Sequence, residues 1–284
     1  MDSSFLMFNQ KFEYYEMGHR HYHNHYEIYY LLSGERYYFI KDRSYHVKSG
    51  DIVLINKNDL HHTSNANDLC HEKIMIYFKE EYIRNLFNPT MLINLFSIFE
   101  HKNHIIRLNI TDQELVQRLL LKLLDEYNSF KSSGEEFEEY KQEKLFHLKI
   151  MLTEFLYILK KIRKNQKEDF KHTSPLHKTI SDIAQYITQN YEGNIKLTSI
   201  ANDFSLNPCY LSSMFKEITG FSLIEYLNLT RIKEAKNLLN HSDLNITEIS
   251  ERVGFNTLSH FGRTFKKYNN ISPSQYRKIH FSKN

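Results

Sequence analysis

The chain has 284 residues, 41% of them hydrophobic, and a formal net charge of +3. This length suits two domains, and so small a net charge excludes a polycation that binds nucleic acid over its whole surface. Because it has only two cysteines, no signal peptide at its start and no apolar run of membrane-spanning length, we expect a reduced, cytoplasmic protein with neither a disulfide framework nor a membrane partner.

The first part of the chain has the pattern of short β-strands. Runs of β-branched and aromatic residues occupy positions 27–32, 37–40, 52–55 and 74–78. Turn residues such as Ser33-Gly34 and Ser49-Gly50 separate these runs. Short strands at this spacing predict a sandwich or small barrel, which we place at residues 1–80.

Helices are predicted next, over residues 81–163. Thr111 and Glu114 match a capping box, and a second long helix is predicted from about residue 136 to 162. These helices have more apolar surface than one small barrel needs. We therefore expect part of them to contact a second copy of the chain, with packing on the barrel alone as the alternative. Residues 164–174 are polar and are predicted to be the interdomain linker.

Two segments of the C-terminal part, residues 197–216 and 246–267, share one layout of a short helix, a tight turn and a second helix. Small residues, Ala201 and Ser250, stand where the two helices of each unit would cross, since a bulky side chain there would push them apart. Gly254 supplies the positive φ that a sharp turn needs. Two ordinary helical hairpins are the alternative, but the repeated layout favours two helix-turn-helix units that read DNA.

The second helix of each unit is predicted to enter the major groove. Asn207 and Asn256 are the predicted caps of these helices, and a helix from about residue 222 to 239 joins the two units. Arg263 is predicted to contact a guanine edge, while the lysines hold phosphates. The predicted DNA-reading residues are Cys209, Ser212, Ser213, Lys216, Leu258, Ser259, Gly262, Arg263, Lys266 and Lys267.

The charge distribution fits this interpretation. Residues 171–284 contain 14 lysines and arginines against nine aspartates and glutamates, so the basic excess lies in the C-terminal part. A basic domain on a slightly acidic one is typical of a protein whose DNA binding is confined to one end. We place the DNA-binding domain at residues 175–284.

A more specific pattern runs through about the last hundred residues. Its members are Tyr210, Leu211, Met214, Phe215, Lys216, Thr219, Gly220, Tyr226, Leu227, Arg231, Ile232, Ala235, Leu238, Leu239, Ile246, Glu248, Ile249, Val253, Gly254, Phe255, His260, Phe261 and residues 263–267 and 272–277. Through them the C-terminal part resembles the AraC/XylS family of bacterial transcription regulators. Where this chain has Ser250, Asn270 and His260, the family usually has Ala, Gly and Tyr. We expect Asn270 to adopt the left-handed backbone geometry that the family's Gly adopts.

The resemblance implies two helix-turn-helix subdomains joined by a long helix, which enter successive major-groove segments of double-stranded promoter DNA. It also implies contact with RNA polymerase and, in most members, activation of transcription, while some members repress. A homodimer is expected from the apolar surface of the helices.

Histidines and acidic residues in the first part form another spaced pattern. His21, His23, Glu27 and Gly34 are followed by Gly50, His61 and Asn65. These residues resemble the two motifs of the cupin-type sensing domain found in many family members. The resemblance implies an effector pocket with His21, His23, Glu27, Tyr29, Tyr38 and His61. His21, His23, Glu27 and His61 are candidate ligands of a divalent metal ion.

Hydrogen bonding among these polar groups is favoured over a bound metal, so no cofactor is expected although a divalent metal is possible. The predicted fold class is an α+β multidomain chain, with an N-terminal cupin-like β-barrel followed by helices and a C-terminal all-α domain with two helix-turn-helix subdomains. The predicted function is a sequence-specific transcription regulator, not an enzyme, that responds to an unknown small-molecule effector. The alternatives are a cupin metalloenzyme fused to a DNA-binding domain, and a regulator controlled by a protein partner or a physical signal.

Overall fold

The structure, a computed structural model, describes residues 4–12, 23–66, 70–132, 138–166 and 174–280. The chain forms two compact units, and the main boundary between them lies between residues 173 and 174. The predicted linker of residues 164–174 overlaps this division, although its residues 167–173 lie outside the described residues. Within the ranges given above, no helix has both the length and the hydropathy needed to cross a bilayer.

Eight strands form two sheets in the first unit. They are β1 (Phe5–Phe12), β2 (Tyr26–Ser33), β3 (Glu35–Ile40), β4 (Arg43–Lys48), β5 (Asp51–Ile55), β6 (His61–Asn65), β7 (His71–Phe78) and β8 (Ile105–Arg107). The larger sheet has the order β1-β7-β2-β5-β8, and the smaller one has the order β4-β3-β6. The predicted fold class is confirmed, with the cupin-like part present as a two-sheet sandwich. Strand β8 pairs with β5, so the sheet uses a segment beyond residue 80, where we had ended the barrel.

Side chains that alternate along the strands of the larger sheet belong to two separate cores, one on each face. On β2, Ile28 and Tyr30 belong to the core on the helix side, and Tyr29 and Leu31 belong to the core between the two sheets. Because both faces are covered, residues 26–31 are all buried rather than alternately exposed. We call the space between the two sheets the sandwich interior. Its buried apolar residues are Tyr29, Leu31, Tyr38, Ile40, Tyr45, Val47, Val53, Ile55, Met75 and Ile105.

Three helices cover the outer face of the larger sheet. They are α1 (Pro89–Phe96), α2 (Ile110–Ser132) and α3 (Glu138–Lys164), and their buried side chains join the core on that side. Helix α2 begins one residue before Thr111, so the predicted capping box was wrong. The side chain of Asn109 accepts a hydrogen bond from the backbone N–H of Asp112 at 2.8 Å and caps the helix instead.

The second unit consists of helices. They are α4 (Pro175–Asn190), α5 (Leu197–Asp203), α6 (Pro208–Thr219), α7 (Leu223–His241), α8 (Ile246–Arg252), α9 (Leu258–Asn269) and α10 (Pro273–His280). The pairs α5–α6 and α8–α9 are the two predicted helix-turn-helix units, and α7 is the predicted joining helix. A capping box between Ser222 and Glu225 starts α7.

Buried contacts of α7 hold this unit together. Arg231 donates from Nε to the carbonyl oxygen of Tyr191 at 2.8 Å and from Nη2 to that of Gly193 at 2.7 Å. These charge-assisted bonds fix the loop that follows α4 against α7. Farther along α7, Ala235 and Leu239 are fully buried in one core with residues of α8 and α9. The joining helix therefore carries the second helix-turn-helix unit on its apolar side.

Left-handed backbone geometry occurs at both helix-helix turns. Gly254 has φ of 86° and Ser205 has φ of 54°. A Cβ atom at Gly254 would lie 2.5 Å from the carbonyl oxygen of Glu192, so both conformation and space require glycine there. Asn270 ends α9 with φ of 62°, as expected from its place in the sequence.

Gly254→Ala is expected to destabilise the second helix-turn-helix unit by at least about 2 kcal/mol, since it adds left-handed strain and a clash with backbone atoms. Urea denaturation read by hydrogen–deuterium exchange of peptides from α8 and α9 measures this loss. Gly262 in α9 is the matched control, because a Cβ atom there meets nothing within 4 Å. Gly262→Ala should stabilise the helix by about 0.5–1 kcal/mol, and equal effects of the two changes would contradict the role given to Gly254.

Candidate DNA-binding surface and polar interior

A buried small residue and a side-chain cap position α6 in the first helix-turn-helix unit. Ala201 on α5, the residue predicted at the helix crossing, is completely buried. The turn passes through Ser205 and reaches Asn207, whose side-chain oxygen accepts a hydrogen bond from the backbone N–H of Cys209 at 2.8 Å. Pro208 occupies the first helical position, where the absence of an N–H costs nothing. The predicted small residue at the crossing and the predicted cap of α6 are confirmed.

The second helix-turn-helix unit has a longer turn and a different cap. Ser250, the small residue on α8, is buried as predicted. The cap of α9 is Thr257, whose hydroxyl accepts a hydrogen bond from the backbone N–H of His260 at 3.2 Å. The prediction of Asn256 as the cap was therefore wrong. The turn after α8 has one residue more than the turn after α5, so the cap moves one place along the chain.

The predicted DNA-reading face lies on the surface of both helices. Ser212 and Gly262 are half-buried, and the other eight predicted residues are exposed. Helix α9 carries Arg263, Lys266 and Lys267 and has no acidic residue, whereas Lys216 on α6 is followed by Glu217. The face of α9 is thus the more strongly cationic of the two. The buried stripe behind these faces consists of Leu211, Phe215, Phe261 and Phe265.

Two exposed aromatic rings on these helices were missed by the sequence analysis. Tyr210 is 48% exposed, and His260 is also exposed. Each residue stands three positions after the cap of its helix, at Asn207 and Thr257 respectively. Counting from the cap would have identified both rings in the first turn, where residues of a recognition helix reach base edges.

The sandwich interior brings together three of the four predicted metal ligands. The Nε2 atom of His23 lies 3.0 Å from Oε2 of Glu27, and Nε2 of His61 lies 3.4 Å from the same oxygen. One potential ligand atom from each residue falls within 4.8 Å of the other two. Glu27 and His61 are almost completely buried, while the side chain of His23 is 18% exposed. The fourth candidate, His21, lies outside the described residues.

The hydrogen bonds of the His23 and His61 rings show that a proton or a cation must accompany the carboxylate of Glu27. Nδ1 of His23 lies 3.2 Å from the carbonyl oxygen of His25, and Nδ1 of His61 lies 2.9 Å from that of Asp59. Because a carbonyl oxygen only accepts, each Nδ1 carries a hydrogen, and a neutral ring then turns the lone pair of Nε2 toward Glu27. A proton or a metal cation must lie between that lone pair and the carboxylate. Two nitrogens and one oxygen form a donor set that suits a divalent transition metal.

The pKa values reflect this coupling. Burial by itself raises the pKa of Glu27, but the positive character of His61 and His23 outweighs it and holds the carboxyl below its usual range. Burial lowers the pKa of His61, yet Glu27 and the carbonyl group of Asp59 raise it above its ordinary value overall. The trio therefore keeps a carboxylate charged inside the first unit.

The predicted pocket residues Tyr29 and Tyr38 also face the sandwich interior. Both are 1% exposed, and their ring centroids are 5.0 Å apart in an edge-on arrangement. They pack as core residues beside the His23–Glu27–His61 trio. Any effector in this interior would therefore contact aromatic rings as well as the trio.

Two buried cations in the same interior were not predicted. Arg36 on β3 has no exposed surface, and Lys73 on β7 is 3% exposed. The signal was present in the sequence, since Arg36 shares the inward face of its strand with Tyr38, and Lys73 shares its face with Met75. A charged residue in phase with core residues marks a polar group turned inward.

Comparisons with known families agree with both units. A model described as an AraC-like ligand binding domain matches residues 4–149, which is half of the chain. A second model, described as a helix-turn-helix domain, matches residues 200–279. The two matches cover the sandwich with α1, α2 and part of α3, and nearly all of both helix-turn-helix units.

Similar proteins are described as uncharacterized HTH-type transcriptional regulators. YijO of Escherichia coli is 37% identical over 100 residues, which are 35% of each chain. SACOL0084 of Staphylococcus aureus is 24% identical over 87% of this chain but only 31% of its own length. YfiF of Bacillus subtilis is 26% identical over 92% of this chain and 79% of its own. The chain thus spans about a third of the length of the first two relatives.

Two solved structures are similar in part. The C-terminal domain of AraT, a response regulator from Geobacillus stearothermophilus, is 36% identical, with a TM-score of 0.38 over 39% of this chain and 93% of that one. ToxT from Vibrio cholerae is 19% identical, with a TM-score of 0.38 over 99% of this chain and 100% of that one.

The sequence analysis favours hydrogen bonding over a bound metal, but the three ligand atoms lie within 4.8 Å of one another, so we test the trio for a divalent metal ion by the absorption of Co²⁺ titrated into the purified full chain. Glu27→Gln and His61→Ala should each weaken binding by roughly 10–100-fold or more, because each removes a ligand. Glu35 is the matched control, since it pairs with the single ring of His46 at 2.8 Å. Glu35→Gln should leave the titration unchanged. Equal Co²⁺ uptake by all three variants and the wild type would refute the site and favour the hydrogen-bonded interior.

Proposed function

Since the chain belongs to the AraC family of transcriptional regulators, we propose that it binds promoter DNA in a sequence-specific way and that a small-molecule effector in the sandwich interior controls this binding. The observation that carries the proposal is the pair of capped helices, α6 and α9, each with a fully buried apolar stripe and an exposed polar and cationic face. Such a face suits the negative potential and the base edges of a major groove.

Helices α6 and α9 have different roles in the proposed DNA recognition. Arg263 on α9 is the side chain best suited to bidentate contact with guanine, and Lys266 and Lys267 neutralise nearby phosphates. Helix α6 presents small polar groups and the ring of Tyr210, which tolerate several bases. Affinity therefore depends mainly on α9, and part of the selectivity depends on DNA shape.

Effector control works through differential affinity. An effector that binds the first unit more tightly in its DNA-bound state than in its free state raises DNA affinity by the same factor. The predicted contacts are His23, Glu27, Tyr29, Tyr38 and His61. The expected outcome is activation through RNA polymerase in the cytoplasm, and the protein is not an enzyme. Turnover of a substrate that stops in His61→Ala would instead favour a metalloenzyme fused to a DNA-binding domain.

An exposed apolar stripe on α3 supports the proposed homodimer. Phe146, Ile150 and Tyr157 lie on one face of this helix and are between 45% and 56% exposed. Ile150 and Tyr157 also line a groove with Met91 of α1. Contiguous apolar surface of this kind is typical of an interface between copies of a chain.

Arg263→Ala is expected to cost about 1–3 kcal/mol in binding to specific DNA and to relax selectivity at one base pair, because a bidentate base contact is lost. Lys267→Ala should weaken binding to all sequences alike and lower the salt slope by about one. Fluorescence anisotropy on DNA upstream of the protein's own gene and on scrambled DNA, across a salt series, measures both.

The control for these two variants is Lys122→Ala, which removes an exposed cation from α2 of the first unit. It should change neither affinity nor salt slope. If Arg263→Ala and Lys267→Ala reduce binding to specific and scrambled DNA by the same small factor, the division into base and phosphate contacts is wrong.

Ile150→Glu is expected to convert the dimer to a monomer, since it places a charge in the middle of the apolar stripe. Sedimentation velocity of the full chain over a concentration series measures the change. Ile279→Glu is the matched control, because Ile279 is an isoleucine of the second unit that is 66% exposed. This variant should sediment as the wild type does. A wild-type protein that stays monomeric at all concentrations would contradict the proposed interface.

A further inference from the structure

We propose that one sugar–phosphate strand of the bound DNA packs directly against the backbone of α9 at Gly262, between the side chains of Leu258 and Lys266. This inference rests on the proposed DNA-binding function and adds which part of the DNA one side of α9 contacts. It follows from a glycine that the second unit does not itself require, and from the two residues that stand one helical turn away from it.

The described residues of the second unit do not require glycine at position 262. Its φ is not positive, unlike the φ of Gly220 and Gly254. A Cβ atom built at Gly262 would meet nothing within 4 Å among the described residues, so no neighbour needs the space. Glycine in the interior of a helix lowers its stability relative to alanine. The remaining physical reason for glycine here is the close approach of another molecule to the backbone.

Gly262 lies at the edge of the exposed face of α9. Phe261, the residue before it, is fully buried, and Arg263, the residue after it, is exposed. Gly262 itself is half-buried. A helix with its side chains is about 10–12 Å across, and the major groove is about 12 Å wide, so the sides of a bound helix lie close to the groove walls. Those walls are the two sugar–phosphate strands, whereas the most exposed residues reach the base edges.

The two neighbours of Gly262 on this side of α9 match the two parts of a DNA strand. Leu258 and Lys266 stand four residues before and after Gly262, so the three positions form one row on the helix surface, which we call the α9 flank. Leu258 is apolar and 47% exposed, and it suits the CH groups of a deoxyribose. Lys266 is exposed and forms no ion pair with any described residue, so its ammonium group is available to a phosphate.

The missing side chain lets both neighbours reach the strand together. With only hydrogen at position 262, a sugar–phosphate strand can lie against the helix backbone while it contacts Leu258 on one side and Lys266 on the other. A methyl group at this position would hold the strand away from the helix, and both contacts would lengthen. Gly262 is therefore a positioning residue for DNA binding, since it acts through the contacts of its neighbours.

Gly262→Ala tests this close approach, because it is expected to change stability and DNA affinity in opposite directions. The free energy of unfolding should rise, since alanine is the better helix former. Affinity for DNA upstream of the protein's own gene should fall by roughly tenfold or more, since a side chain added to a tightly packed contact forces the surfaces apart. Gly262→Leu should bind more weakly still. Urea denaturation and fluorescence anisotropy of the full chain measure the two quantities.

The opposite signs make the result independent of misfolding, because a variant that is more stable than the wild type is folded. Asn237→Ala is the matched control, since it replaces an exposed residue of α7 with the same good helix former. It should bind DNA as the wild type does. Unchanged or tighter DNA binding by Gly262→Ala overturns the proposal.

A double-mutant cycle with Lys266→Ala tests whether the α9 flank contacts one strand. Lys266→Ala alone should weaken binding and lower the salt slope by about one, because one phosphate contact is lost. In the Gly262→Ala background the same change should have a much smaller effect, because the strand is already held away from Lys266. Fully additive effects of the two changes overturn the shared strand contact.

The same titrations separate this inference from the proposed function. A wild-type protein that binds promoter DNA no more tightly than scrambled DNA contradicts the proposed function. A wild-type protein that prefers promoter DNA, together with a Gly262→Ala variant that binds it equally well, leaves the proposed function intact and overturns the close contact at Gly262.

Discussion

The larger sheet of the first unit is buried on both faces, and this constraint determines which side chains its strands can carry on each face. Alternate residues of β2 and β7 must serve two cores, one against α1, α2 and α3 and one against the smaller sheet. The helix side is packed mainly with apolar side chains. The other side can therefore carry Glu27 and Lys73 without loss of the main core, because apolar packing behind the sheet stabilises the unit.

Placing charge between the sheets has an energetic cost that a purely structural core would avoid. A buried ion pair seldom stabilises a fold relative to well-packed apolar residues of the same volume. Glu27, Arg36, Lys73 and the two histidines are then best explained by function. They provide hydrogen-bond donors and potential metal ligands in one enclosed place, which suits the effector site proposed above.

The second unit depends instead on local backbone chemistry. Caps at Asn207 and Thr257, and left-handed turns at Ser205 and Gly254, fix where each recognition helix begins. Helix α7 then provides the shared apolar surface. The exposed faces of α6 and α9 contribute little to the core. Substitutions there are therefore expected to change the proposed DNA recognition with little effect on stability.

The sequence by itself determined the helix-turn-helix units, their small crossing residues, the exposed face of the second helix in each unit and the strand-rich first part. These features follow from signals within a few residues of one another, such as periodicity, caps and glycine. Even so, local signals misplaced two caps, at Thr111 and Asn256, because a nearby residue, Asn109 or Thr257, caps the helix instead. Only the tertiary structure decided that β8 joins the larger sheet, that His61 meets Glu27, and that Arg36 and Lys73 face one interior. Each depends on pairing between strands far apart in the chain, and the register of that pairing is set by the packing of the whole unit.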